Sequence, residues 1–165
     1  MSTLIVLRGN SGSGKSTVAH AVQRRFDRAT VAVVPQDVVR RQILREQDRP
    51  HGVNIALIEH IAAFCLAEGC VVIVEGILRA STYGPMLGRL SATAARSFFY
   101  AYDLSFEETV RRHATRPQAI AFGPEEMSAW YRGWDALDFV SEVRFDAGWS
   151  VDAAIERVCA DIAGT

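Results

Sequence analysis

Eight residues constrain this chain more than any others. Gly9-Asn10-Ser11-Gly12-Ser13-Gly14-Lys15-Ser16 fits the pattern G-x-x-x-x-G-K-[ST] without a gap. Before them, Thr3–Arg8 is a short, nearly all-apolar run, the mark of a strand buried on both faces. After them, Ser16–Phe26 reads as a helix with apolar residues at Val18, Val22 and Phe26. A strand that turns through glycines into a helix brings several backbone N–H groups and the positive helix end to one point. That is a cradle for phosphate oxygens. Gly9, Gly12 and Gly14 let the backbone wrap, and Asn10, Ser11 and Ser13 fill the turn. Lys15 reaches between the terminal phosphates, the Ser16 hydroxyl suits Mg²⁺, and Thr17 falls beside the α-phosphate.

Composition sharpens the role of Lys15. The chain holds 18 Lys plus Arg, and Lys15 is the sole lysine. Arginine is a planar fork and lysine a compact charge on a thin stem. A position that keeps lysine in an arginine-using chain is narrow and packed with oxygens. The same count excludes a GTPase, because an N-K-x-D base-reading motif needs a second lysine. The 165 residues are too few for a large motor ATPase.

The remaining chain alternates apolar runs with helical patterns. Strands are expected at Thr30–Pro35, Cys70–Val74, Ser97–Tyr102 and Glu142–Phe145. Helices are expected at Asp37–Gln47, Val53–Glu68 (closed by Gly69), Ser81–Ala95, Ser105–Ala114, from Pro124, and over Val151–Ile162. Ser105 and Glu108 read as a capping box, and Glu107–Arg111 and Glu108–Arg112 as i,i+4 pairs. This alternation predicts an α/β fold with a parallel sheet covered on both faces, as one domain over residues 1–165. Net charge is -1, so attraction of the whole chain to nucleic acid or anionic lipid is not expected. No apolar run approaches the roughly 20 residues of a membrane span. With no secretory leader pattern, and with Cys65, Cys70 and Cys159 read as buried reduced thiols, a cytoplasmic protein is expected.

The second half of the candidate site follows the second and third strands. Asp37 sits where a strand ends and a helix begins, the sheet edge that faces ligand in such folds. A carboxylate there can take the proton of a hydroxyl attacking the γ-phosphate, or it can only cap the helix. Arg40 shares its helical face and suits an acceptor group. Glu75 ends the run Val71–Val74 and suits Mg²⁺ through water, an acceptor contact, or a plain pair with arginine; Arg79 lies close by. Arg116, at the end of a helix entering a loop, is the candidate that closes on the transferring phosphate. Arg132 is a candidate for a second lid contact, and His113 reads as a surface histidine. Glu59 and His60 are weaker candidates for the acceptor pocket. Trp130, Tyr131 and Trp134 suit either ring stacking or core packing.

Gly9–Ser16, Gln36-Asp37 with Arg40, Val74-Glu75-Gly76, and Tyr102–Ser105 with Glu107 and Arg111–Arg116 together resemble the small P-loop kinases of the nucleoside/nucleotide kinase-like superfamily. The nearest look is the bacterial uridine-kinase-like or AAA-type ATP-binding set. Polynucleotide kinase and chloramphenicol phosphotransferase are related in pattern. The resemblance implies a three-layer α/β/α sandwich, a five-stranded parallel sheet in order 2-3-1-4-5, and a short helical lid at about 116–133. It implies ATP and Mg²⁺ as cofactors, Asp37 as base or acceptor ligand, Arg116 as the lid arginine, and adenine near Ala147–Ser150. The expected activity is transfer of the γ-phosphate of Mg-ATP to a hydroxyl of a small nucleoside-like or antibiotic-like acceptor. One alternative is a polynucleotide 5′-hydroxyl kinase, its track supplied by Arg40, Arg41, Arg45 and Arg49. Another is a nucleotide-binding regulator that hydrolyses ATP slowly with no acceptor.

Overall fold

The computed structural model describes residues 2–115 and 121–164. Five strands form one sheet: β1 (Thr3–Arg8), β2 (Val31–Pro35), β3 (Val71–Gly76), β4 (Arg96–Tyr102) and β5 (Val143–Phe145). Their order is β2-β3-β1-β4-β5, and every pairing is parallel. The helices are α1 (Lys15–Gln23), α2 (Val53–Ala67), α3 (Ala80–Thr93), α4 (Phe106–His113), α5 (Pro124–Trp130) and α6 (Val151–Ala163).

β1 explains the layering. All six of its residues are buried, and side chains alternate across a strand. Leu4 and Val6 enter one core with Ile58, Ala62 and Leu66 of α2 and Leu87 and Leu90 of α3. Ile5 and Leu7 enter the other, with Val18 and Val22 of α1 and Ile155 and Val158 of α6. β5 has only three residues and is anchored by Phe145, fully buried and stacked 5.2 Å from Tyr100. Such a burial stabilises by roughly 1.5–3 kcal/mol.

Three expectations need correction. The arginine-rich helix over Asp37–Gln47 is a single wide π-type turn, Val38–Ile43, closed by the Leu44 N–H on the Val39 carbonyl at 3.1 Å. Beyond it Arg45 turns left-handed (φ 51°), and the Arg40 guanidinium donates to the Glu46 carbonyl at 3.1 Å. The Glu46 carboxylate in turn accepts from the Val53 and Asn54 N–H groups, both at 2.8 Å. The segment serves as the N-terminal cap of α2, so its polar groups cannot also continue a helix. The capping box of α4 is half formed: the Ser105 hydroxyl accepts from the Glu108 N–H at 3.2 Å, while the Glu108 carboxylate turns to Arg111 and Arg112. That leaves no Glu107–Arg111 pair among the described contacts. The three cysteines are free but half-exposed, not buried. Among the described residues, no helix is long and apolar enough to cross a membrane.

Candidate functional site

The loop between β1 and α1 has the backbone its glycines predict. Gly9 (φ 152°) lies so close to β4 that a Cβ would stand 2.8 Å from Tyr102 Cβ. Gly12 (φ 79°) presses on α4, where a Cβ would come 2.6 Å from the Thr109 carbonyl oxygen. No side chain caps α1 at Gly14, so its first amides face the loop. Lys15 is buried, and its Nζ donates to the Asn10 carbonyl at 2.7 Å and to Ser13 Oγ at 3.1 Å. The ammonium therefore rests on oxygens of its own loop. Ser16 donates its hydroxyl to Glu75 Oε1 at 2.9 Å.

β2 and β3 end side by side in parallel, which brings Asp37 and Glu75 to one cleft with Lys15, Ser16 and Ser11. The cleft holds about 130 Å³ beside the loop. Glu75 is buried, and desolvation pushes its carboxyl above the usual carboxylate range against the opposing pull of Lys15 and the Ser16 hydroxyl. Of its sequence readings, the arginine pair is absent among the described residues, and Glu75 accepts from the Ser16 hydroxyl instead. Asp37 makes no side-chain cap. Its carboxylate faces the cleft and is approached by Arg40 at 3.1 Å and Arg41 at 3.4 Å.

Other candidates lie elsewhere. Arg40 folds behind Asp37, with a buried Nε that makes no hydrogen bond among the described residues. Arg79 lines a separate small pocket on the β4 side, with Gly9, Asn10, Tyr102 and Trp134. Thr17 is exposed on α1. Glu59 pairs with Arg89 of α3 at 2.7 Å, and His60 bonds the Ala56 carbonyl, so neither reaches the cleft. Arg116 lies outside the described residues. Arg132 meets the loop through its backbone: the Asn10 side-chain amide donates to its carbonyl at 2.6 Å and accepts from its N–H at 2.9 Å.

Four features escaped the sequence reading. His113 is buried, not on the surface; it lines the cleft, bonds the Phe122 carbonyl at 3.0 Å and stacks on the Phe122 ring at 4.5 Å. Arg112, besides its Glu108 pair, donates to the Ser13 carbonyl at 3.2 Å and so touches the phosphate loop. Arg8, the last residue of β1, is buried with Glu142 at 2.6 Å and donates to the Leu78 carbonyl at 2.8 Å. Tyr83 is wholly buried, its hydroxyl held by Gln36, Asp48 and Asn54 at 2.8–3.0 Å. For Arg8 the signal available was a charged residue closing an apolar strand; Tyr83, between Thr82 and Gly84, stands in no apolar run and carried no such signal.

Comparison with solved structures places this geometry in a known fold. The APS kinase CysC of Mycobacterium tuberculosis, solved with AMPPNP and APS, superposes with a TM-score of 0.72 at 20% identity, covering 99% of this chain and 98% of that one. A gluconokinase from Sinorhizobium meliloti 1021 gives 0.62 at 18% identity over 98% and 92%. The tunicamycin resistance protein of Deinococcus radiodurans gives 0.62 at 17% identity over 98% and 96%. No curated protein matches the sequence. The architecture is thus the P-loop NTPase α/β fold, with the expected 2-3-1-4-5 sheet. A family model described as an AAA domain matches residues 4–132, and on that match the chain belongs to the AAA_33 family.

Proposed function

We propose that this protein is an ATP- and Mg²⁺-dependent phosphotransferase that moves the γ-phosphate to a hydroxyl of a small, nucleoside-like or antibiotic-like molecule. The observation that carries this reading is the shared cleft of Lys15, Ser16, Glu75 and Asp37. It joins a phosphate cradle to a carboxylate that no helix cap consumes.

The loop fits a polyphosphate: Lys15 already contacts two loop oxygens, the kind of partner that phosphate oxygens replace. Ser16 and Glu75 fit Mg²⁺, because they set two hard oxygen donors together, one a desolvated carboxylate. Bound there, the ion would neutralise charge on the phosphates. In this reading Gly9–Thr17 hold the nucleotide and Lys15 stabilises the charge that spreads over the moving phosphate. Asp37 accepts the proton of the attacking hydroxyl, and Arg40 holds Asp37 from behind. Arg116 is the lid arginine of the proposal, and Arg112, already on the Ser13 carbonyl, joins it. Arg79 is assigned a lesser role on the β4 side.

The polynucleotide alternative loses support from its own arginines. Arg40 and Arg41 engage Asp37, and Arg49 lies 3.7 Å from Glu46, so three of the four proposed phosphate contacts are spent on carboxylates. The deciding experiment is ATP consumption with and without nucleosides, antibiotics, gluconate and 5′-hydroxyl oligonucleotides. Stimulation by a small hydroxyl compound is expected. No stimulation by any of them would favour a regulatory ATPase, and stimulation by oligonucleotides with steep salt dependence would favour the nucleic-acid reading.

A further inference from the structure

We infer that Trp130 is the seat of a flat aromatic ring carried by the acceptor, and that Arg41 occupies this seat while the site is empty of acceptor. The inference rests on the phosphotransfer reading for the acceptor's hydroxyl, and adds where the rest of the molecule lies.

The three aromatic residues at the lid have different surroundings. The Tyr131 hydroxyl donates to the Leu104 carbonyl at 3.0 Å, and its ring packs edge-on to Phe106. Trp134 lies under the Arg144 guanidinium, 4.2 Å from its ring centroid, and borders the Arg79 pocket. Trp130 alone faces the outward continuation of the catalytic cleft, with Ser16, Asp37, Arg41, Phe122 and Glu126. It is held from the side by Phe122, edge-to-face at 5.2 Å, and Phe122 is itself fixed by His113. A wall fixed before binding spends little ordering entropy when a ring stacks on it.

The Arg41 guanidinium lies over the Trp130 ring at 5.5 Å while its Nε approaches Asp37 at 3.4 Å. A guanidinium is planar and delocalised, and it stacks on an aromatic face as a flat heterocycle does. One such group touches both Asp37 and Trp130. A single small molecule can therefore place a hydroxyl at Asp37 and a ring on Trp130. The Arg41 side chain is 45% exposed, so moving it into solvent costs only a few-fold in affinity.

The test is calorimetric titration of uridine, adenosine, chloramphenicol, gluconate and kanamycin into the protein saturated with Mg-AMPPNP, with ATP consumption followed in parallel. At least one of the three aromatic compounds should bind. Trp130→Ala should weaken it about 5- to 150-fold, the range for loss of one base–aromatic stack. Trp130→Phe should stay within a few-fold of the wild type, and Arg41→Ala should bind the compound more tightly. The KM for ATP should not move in any variant. Unchanged affinity in Trp130→Ala, binding of gluconate or kanamycin alone, or no binding of any aromatic compound would each overturn the inference. If Trp130→Ala does not fold, weaker or unchanged binding in Arg41→Ala overturns it instead. Stimulation of ATP use by gluconate alone would leave phosphotransfer standing without the ring seat. Trp130-dependent ring binding with no stimulated ATP use would leave the seat without phosphotransfer.

Discussion

Two charged clusters flank the C-terminal end of β1, and they are built on opposite principles. On one side Arg8 is locked. Its guanidinium is buried against Glu142, with both side chains at most 4% exposed, and it also bonds the Leu78 carbonyl and Asp135. Glu142 accepts from Arg8 with both carboxylate oxygens, the second of which also accepts from the Leu137 N–H, and Asp135 accepts from the Ala80 N–H. Every partner there is a fixed part of the fold. On the other side, Lys15 rests on the loop's own oxygens, Ser16 on Glu75, and Asp37 on two arginines of the next turn. In the proposed function, these partners are neighbours that a polyphosphate, a cation or a hydroxyl replaces. Burial of charge alone does not distinguish a structural cluster from a reactive one. The replaceability of the partners does.

The contrast can be broken by mutation. Lys15→Ala is expected to abolish nucleotide binding or turnover while leaving a folded protein, checked by nucleotide titration and circular dichroism. Asp37→Asn should bind ATP normally and slow transfer by about 10²–10⁴ in single-turnover assays, the range for losing a general base. Full activity would reduce Asp37 to an ion-pair partner of Arg40. Glu142→Ala should do the converse. Removing one partner of a buried pair typically costs about 3–5 kcal/mol, measurable by urea unfolding, with the activity of the remaining folded protein retained. A large stability loss in Lys15→Ala, or none in Glu142→Ala, would erase the distinction.

Two smaller effects sharpen it by pH. Burial raises the Glu75 carboxyl, so the folded protein holds that proton to higher pH than the unfolded chain. Its contribution to stability is therefore full at low pH and is lost as pH rises through the folded value. Glu75→Gln should raise the Tm of the nucleotide-free protein by a few degrees at pH 8 and shrink the extra stabilisation that Mg²⁺ adds to nucleotide. Glu108 behaves oppositely, since Arg111 and Arg112 pull its carboxyl down to about 2. Its stabilisation of α4 is present above the usual carboxylate value and is lost as pH falls towards 2. The Tm difference between wild type and Glu108→Gln should close over that window.

How much of the site was legible depended on whether the chemistry lies in one stretch. The phosphate loop is contiguous, and its glycines, lysine and serine each appear where the sequence pattern puts them. Asp37 and Glu75 could be read together because strand ends in a parallel sheet share one edge, and they do line one cleft. Arg40 was misjudged in detail, because its helix is a single wide turn tied down by Glu46 and Arg45, and no periodicity reports such a tie. His113 looked like a solvated helix end, yet the approach of α4 to Gly12 buries it. Arg79 was near Glu75 in sequence but turns to the β4 side of the loop.

The amino-acid order by itself determined the alternating strands and helices, the phosphate loop and the two strand-end carboxylates. Local backbone preference and hydrophobic period set these within short windows. Only the tertiary structure decided which charges are locked and which can be exchanged, and which of three clustered aromatics faces the cleft. Those outcomes depend on partners such as Glu142 for Arg8 and Arg41 for Trp130, far apart in sequence and joined only when the chain packs.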